Sequence, residues 1–135
     1  MALAAEPLQL RVPGVAARAA GEHLAFVTRQ VAAALEGLSA EELAHAVIAY
    51  EPVWAIGTGE VASSADAQEV CAAIREQVAH THGAELAAGM RVLYGGSVNL
   101  GNAADLLGIE HVTGLFVGRT AWKLEGYLEL LRIGE

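Results

Sequence analysis

The chain has 135 residues, 54% of them hydrophobic, and carries 16 acidic residues against 8 Lys and Arg, for a net charge of −8. No stretch concentrates basic residues, which argues against nucleic acid and against an anionic membrane surface as partners. No uncharged apolar run approaches the ~20 residues of a membrane span, and the N-terminus lacks the features of a signal peptide, so we expect a cytoplasmic protein without a membrane partner.

The first part of the chain predicts one short strand and one helix. Residues 8–12 alternate apolar and polar side chains between two prolines, which is typical of a strand. Residues 1–19 are read either as a degenerate strand or as an unrelated leader. A helix is predicted over residues 20–36, where apolar residues recur at three- and four-residue spacing, and Gly37 ends it.

The middle of the chain predicts a buried strand between two capped helices. Ser39 to Glu42 is a capping box for a short helix, and Ser63 to Asp66 caps a longer helix that Gly83 ends. The strand over residues 47–50 is apolar throughout, so we expect cover on both of its faces. Cys71, the single cysteine, falls on the apolar side of the longer helix and excludes an intrachain disulfide.

The last part of the chain repeats the same order. Strands are predicted over residues 91–94 and 114–117, and helices over residues 101–107 and 124–132. A repeating strand, loop and helix favours parallel strands joined by right-handed crossovers. The sequence therefore predicts an α/β fold, with one domain over residues 1–135.

One segment, residues 49–59, carries the strongest chemical signal. The apolar strand ends in Glu51, a Pro-Val-Trp sequence follows, and a loop with Gly57 and Gly59 comes next. A carboxylate at the mouth of a buried strand suits proton abstraction, and glycine amides nearby suit a phosphate. The alternative reading of Glu51 is a structural carboxylate that caps a helix or pairs with an arginine.

Two further glycine-containing segments follow predicted strands, Tyr94-Gly95-Gly96-Ser97 and Phe116-Val117-Gly118-Arg119. In this order, the three segments resemble the triosephosphate isomerase family, over about residues 20–135 and in its C-terminal half only. The resemblance implies a partial (β/α)8 TIM barrel of about four βα units with parallel strands. A complete barrel has ~250 residues, so this chain has the length of about half of one.

The resemblance also implies roles for individual residues. Glu51 is expected as the general base, the arrangement for which this family is a standard example. The backbone amides of Gly57, Ser97, Gly118 and Arg119 are expected to bind the substrate phosphate. Tyr94 and Ser97 are expected to hydrogen-bond a closed lid. No metal or organic cofactor is expected. The lid would comprise Pro52, Val53, Trp54, Ala55, Ile56, Thr58, Gly59 and Glu60.

The expected substrate is a small phosphorylated sugar. The resemblance implies interconversion of glyceraldehyde 3-phosphate and dihydroxyacetone phosphate, a reaction of glycolysis and gluconeogenesis, through an enediolate. The family usually has Gly-Gly where Gly118-Arg119 stands, and the Arg119 guanidinium either reaches a phosphate or lies in solvent or against Glu125. Two alternatives stay open, an isomerase of four-carbon ketose phosphates and a catalytically silent phosphate-binding remnant.

The family's strand-one Lys and strand-four His, which neutralise and polarise the substrate, map to no position of this sequence. Four βα units also leave two open sheet edges and an uncovered inner face. We therefore expect pairing with a second copy, as a homo-oligomer, or with a complementing first-half barrel. His80 and His82 offer weak metal ligands at a helix end, and a solvated helix end is the favoured reading.

Overall fold

The structure is a computed structural model that describes residues 18–19, 21–52, 54 and 62–135. The strand predicted over residues 8–12 lies outside these residues. The other three predicted strands are present in the part that the structure describes.

The three strands form one parallel sheet in the order β1-β2-β3, with β1 at Val47–Tyr50, β2 at Arg91–Tyr94 and β3 at Gly114–Leu115. Tyr50 pairs with Tyr94, and Tyr94 pairs with Leu115. The carboxyl ends of the strands therefore meet at one edge of the sheet, where ligands bind in parallel α/β proteins.

Helices connect the strands, and both predicted capping boxes are present, Ser39 with Glu42 and Ser63 with Asp66. The sequence reading did not predict α4 or the 3-10 helix Arg119–Trp122. The α-helices are α1 (His23–Leu35), α2 (Ala40–Ala44), α3 (Ser64–His82), α4 (Ala84–Gly89), α5 (Ala103–Leu107) and α6 (Leu124–Ile133).

The core lies between the sheet and the helices, with α3 packed against α1, α4, α5 and β2. Cys71 is fully buried on α3, and burial raises the pKa of its thiol to about 11, so it is a core residue as expected. The predicted apolar stripe of α3 is completely buried and comprises Ala67, Val70, Cys71, Ile74 and Val78.

The strand β1 is covered on one face only among the described residues, and the expectation of cover on both faces is wrong. Val47 is 44% exposed and Ala49 is also exposed, whereas Ile48 and Tyr50 are partly buried. Past β3, Phe116 is 53% exposed. No described element packs on this face, so the described part of the chain leaves it open. We call Val47, Ala49 and Phe116 the open face.

None of the helices in the described ranges combines the length and apolarity that crossing a bilayer requires.

Candidate active site at the carboxyl ends of the strands

Glu51 directly follows β1 and lies beside Gly95, which directly follows β2. The Gly95 amide donates to the Tyr50 carbonyl over 2.8 Å, so the two backbones stay paired beyond the strands. A Cβ atom on Gly95 would stand 2.7 Å from Glu51 Cγ and 3.0 Å from Oε1. The Glu51 side chain therefore lies directly against Gly95, where any larger residue would clash with it.

An open cleft of about 640 Å³ lies at this edge and has Glu51 on its wall. The turn after β2 and the segment after β3 form the rest of the wall. Four residues that the sequence singled out thus share one cleft, namely Glu51, Ser97, Gly118 and Arg119. The other lining residues are Gly96, Val98, Asn99, Phe116, Thr120 and Trp122.

The turn after β2 depends on Gly96, whose φ is +102°. A Cβ atom there would also stand 3.2 Å from Cδ of Pro52, so both conformation and space favour glycine. The Val98 amide donates to the Gly96 carbonyl over 2.9 Å, which closes the turn around Ser97. Ser97 is exposed, and its amide donates to none of the described residues.

The segment after β3 places Gly118 and Arg119 at the cleft, both exposed. Their amides donate to none of the described residues. Thr120 Oγ1 donates to the Val98 carbonyl over 2.8 Å, which joins this segment to the turn after β2. The Arg119 guanidinium makes no ion pair with Glu125 or with another described residue.

Tyr94 lies on the other side of the sheet from Glu51, under the helices, and is 3% exposed. Its ring centroid is 6.1 Å from that of Tyr50. Burial raises the pKa of both hydroxyls to about 12, so each is a neutral donor at ordinary pH. Tyr94 does not line the cleft. Its predicted hydrogen bond with a closed lid stays a prediction.

Of the predicted lid, the structure describes Pro52, which is buried, and Trp54, which is partly buried. The remaining lid residues and one predicted phosphate-binding residue lie outside the described residues; they are Val53, Ala55, Ile56, Gly57, Thr58, Gly59 and Glu60.

Asn99 and Asn102 hold the turn that follows Ser97, and the sequence reading gave them no role. The Asn102 side chain donates to the Ser97 carbonyl over 2.9 Å and accepts from the Asn99 amide over 2.8 Å. Asparagine side chains commonly close turns in this way. The short spacing of Asn99 and Asn102 in the sequence could have indicated this turn. Trp122 and Phe116 also line the cleft, and nothing in their local pattern indicates this.

The described residues contain no group of three metal-ligating side chains. His82 Nδ1 lies 2.7 Å from the Thr81 hydroxyl, and His80 is exposed at the end of α3. The described cleft lining contains one carboxylate and one guanidinium, and neither Lys nor His.

A parallel α/β sheet with a carboxylate and glycine turns at its carboxyl edge is the arrangement of barrel-type α/β enzymes. Residues 14–134 match the family model described as triosephosphate isomerase. The chain therefore belongs to the triosephosphate isomerase family, and its fold is a partial barrel of that family.

Curated relatives named triosephosphate isomerase support this assignment. The chain is 57% identical over 101 residues to the protein of Mycolicibacterium vanbaalenii, covering 75% of this chain and 39% of that protein. It is 52% identical over 120 residues to the protein of Nocardia farcinica, covering 89% and 46%. It is 50% identical over 125 residues to the protein of Corynebacterium diphtheriae, covering 93% and 45%. The chain thus spans less than half the length of these relatives.

Proposed function

We propose that this chain supplies the base and the phosphate-binding part of a triosephosphate isomerase. The observation that carries the proposal is the single cleft shared by Glu51, Ser97, Gly118 and Arg119. Glu51 removes a proton from the carbon next to the substrate carbonyl. The C–H electron pair becomes the C=C bond of an enediolate, and the carbonyl oxygen takes the negative charge. A proton then moves from the hydroxyl oxygen to the former carbonyl oxygen, and Glu51 returns the first proton to the former carbonyl carbon. The hydroxyl oxygen becomes the new carbonyl, which completes the exchange of aldose and ketose.

The exposed amides of Ser97, Gly118 and Arg119 would hold the phosphate, because they donate to no described residue and border the same cleft. Backbone N–H groups gathered in this way suit a dianion. Gly57 would add a further amide from the segment that the sequence predicts as a lid. In an acidic chain, these amides and Arg119 supply the local positive potential.

The described cleft lining holds neither the Lys nor the His that the family resemblance implies for neutralising and polarising the substrate, and these two groups would come from elsewhere. Removal of one oxyanion donor costs on the order of 10²–10³ in kcat in a well-studied hydrolase. We therefore propose that full activity needs a first-half barrel, or a second copy of this chain, against the open face. The same feature favours the second candidate function, a phosphate-binding remnant without turnover.

A coupled assay with glyceraldehyde 3-phosphate tests the catalytic proposal. The chain is assayed alone and after refolding with the first half of the Nocardia farcinica relative, with Glu51→Gln purified in the same way as the control. We expect activity in the mixture and a loss of 10²-fold or more in the variant, the scale of general-base catalysis. Equal rates for the wild type and Glu51→Gln would show a contaminating isomerase and would overturn the proposal. A four-carbon ketose phosphate in a parallel assay tests the substrate alternative.

Thermal unfolding with inorganic phosphate distinguishes the remnant from a chain with no site. Ligand at 100 times its Kd stabilises the folded state by ~2.7 kcal/mol. A raised melting temperature without turnover in any mixture would favour the remnant. An unchanged melting temperature would count against both candidate functions.

The proposed partner would cover the open face and the free edges of the sheet. Beside β3, an apolar groove is lined by Leu115, Val117 and residues of α6, including Tyr127 and Leu131, which are about half exposed. Burial of apolar surface contributes about 25 cal/mol per Å². Sedimentation velocity of the chain alone tests self-association, and addition of the relative's first half tests complementation. A monomer that stays monomeric in both experiments would contradict the proposal.

A further inference from the structure

Arg18 contacts two residues that are both far from it in the sequence, Trp54 and Asp66. Its guanidinium carbon lies 4.4 Å from the centroid of the Trp54 ring, which is a cation–π contact. Its Nη2 atom donates to Oδ1 of Asp66 in an ion pair that is partly buried. Arg18 therefore lies between Trp54, which comes after the end of β1, and the first turn of α3.

Asp66 uses its second carboxylate oxygen for the start of α3. The Ser63 amide donates to Oδ2 over 2.9 Å, and the Asp66 amide donates to Ser63 Oγ over 3.2 Å. Burial raises the pKa of Asp66, but hydrogen bonds from Ser63 and Arg18 outweigh this effect and place the pKa below its usual value. The carboxylate is thus charged at neutral pH and bound on both sides.

Trp54 has a second attachment, to β1. Its side chain acts on the hydroxyl of Tyr50, the last residue of that strand, and lowers the pKa that burial raises. Between these two residues, Glu51 enters the cleft and Pro52 packs against Gly96. The position of Trp54 therefore bears on the backbone that carries Glu51.

The two contact sites of Arg18 are close in the sequence. Residues 55–61 lie between Trp54 and Ala62, and Ala62 is buried beside the capping residue Ser63. Arg18 touches Trp54 before the segment and Asp66 after it. Arg18 thus joins these two sites.

We propose that Arg18 is a positioning residue that joins Trp54 to the start of α3, holding Trp54 through its ring and α3 through Asp66. The bridge rests on geometry alone. Its consequence for catalysis, a fixed approach of Glu51, rests on the proposed isomerase function. Arg18 does not line the cleft, so this role acts through Trp54 and not on the substrate.

The test measures Trp54 fluorescence in a Trp122→Phe background, because the chain has two tryptophans and Trp122 is 80% exposed. Asp66→Asn removes the charge that pairs with Arg18, and Arg18→Met removes the cation. We expect each to shift the Trp54 emission to longer wavelength and to increase its quenching by acrylamide. With Arg18→Met already present, Asp66→Asn should add nothing, because the two residues act through one bridge.

Ser63→Ala is the matched control. It removes the hydroxyl cap of α3 but leaves the Asp66 carboxylate free to pair with Arg18. We expect it to lower the melting temperature without a change in Trp54 emission. Equal emission shifts for Ser63→Ala and Asp66→Asn would assign the effect to helix capping and overturn the bridge. If Arg18→Met does not fold, Arg18→Lys replaces it; additive shifts in the double variant would also overturn the proposal.

The catalytic consequence is measured with Trp122 intact, in the refolded mixture that carries activity. We expect Arg18→Met to lower kcat with little change in KM, and Arg18→Lys to restore part of kcat. Unchanged kcat, beside a loss in Glu51→Gln, would overturn the positioning role. If the wild-type mixture has no activity, the proposed function fails, and the fluorescence coupling still decides the bridge.

Discussion

Gly95 lies so close to Glu51 that a single added carbon would displace the carboxylate. The Cβ position of Gly95 is 2.7 Å from Glu51 Cγ and 3.0 Å from Oε1. The Glu51 side chain therefore occupies space that is free because Gly95, the residue after β2, has no side chain. A change at Gly95 should act on the proposed base without touching the rest of the cleft.

We expect Gly95→Ala to lower kcat/KM of the refolded mixture by on the order of 10²-fold, because misplacement of a reacting group by about 1 Å costs that much. Gly89→Ala is the control, since a Cβ atom there meets no atom within 4 Å. The control should leave the rate unchanged. A Gly95→Ala variant with the wild-type rate would show that Glu51 is not the base or that it tolerates displacement.

Arg75 joins three parts of the chain at the end of the sheet opposite to the cleft. Its guanidinium donates to the carbonyls of Ala87, Ala88 and His111. Arg75→Ala should lower the free energy of unfolding by ~2 kcal/mol, the scale of hydrogen bonds to charged groups. Urea unfolding measures this. Arg29→Ala, at an exposed arginine of α1, should change stability by less than ~0.5 kcal/mol.

Tyr50 should make the fold sensitive to alkaline pH. Burial raises the pKa of Tyr50 from 10.0 to about 12. Below pH 10 the hydroxyl is protonated in both states and its contribution is complete. Between pH 10 and 12 the unfolded chain loses the proton while the folded chain keeps it, so the free energy of unfolding falls. Tyr50→Phe should reduce this slope, and Tyr127→Phe, at a half-exposed site, should not. Equal slopes in all three proteins would contradict the prediction.

Cys71 should resist thiol reagents while the chain is folded. It is fully buried, and burial raises the pKa of its thiol to about 11. Because the thiolate is the reactive form, we expect labelling at pH 8 to require opening of α3. Rates of reaction with an aromatic disulfide reagent, with and without urea, measure this. A native rate equal to that of the unfolded chain would place Cys71 outside the core.

The sequence predicted the strands β1 and β2 with their observed bounds, because short apolar runs with glycine or charged neighbours mark them well. It extended β3 to Val117, whereas the strand ends at Leu115. The described pairing of β3 is with β2 over two residues only. Strand length at an edge is set by the neighbouring strand, and the local sequence carries no information about it.

Part of the candidate site could likewise be predicted from the sequence, and part could not. The positions of Glu51, Ser97, Gly118 and Arg119 at one cleft follow from parallel strands with residues at their carboxyl ends. The link from Arg18 to Asp66 spans 48 positions and depends on how α1 and α3 pack. No local periodicity contains such a contact. The sequence did not predict α4 because this short helix follows Gly83, which has no side chain to cap it and was read only as the end of α3.

The open face and the carboxylate cleft lie on the same side of the sheet. A cover over Phe116, which lines the cleft together with Glu51, would also reduce the water around that carboxylate and strengthen its charge interactions. Binding of the cover and completion of the active site are then coupled in free energy. If the cover is a separate molecule, turnover per mole of chain should rise with protein concentration until every open face is occupied.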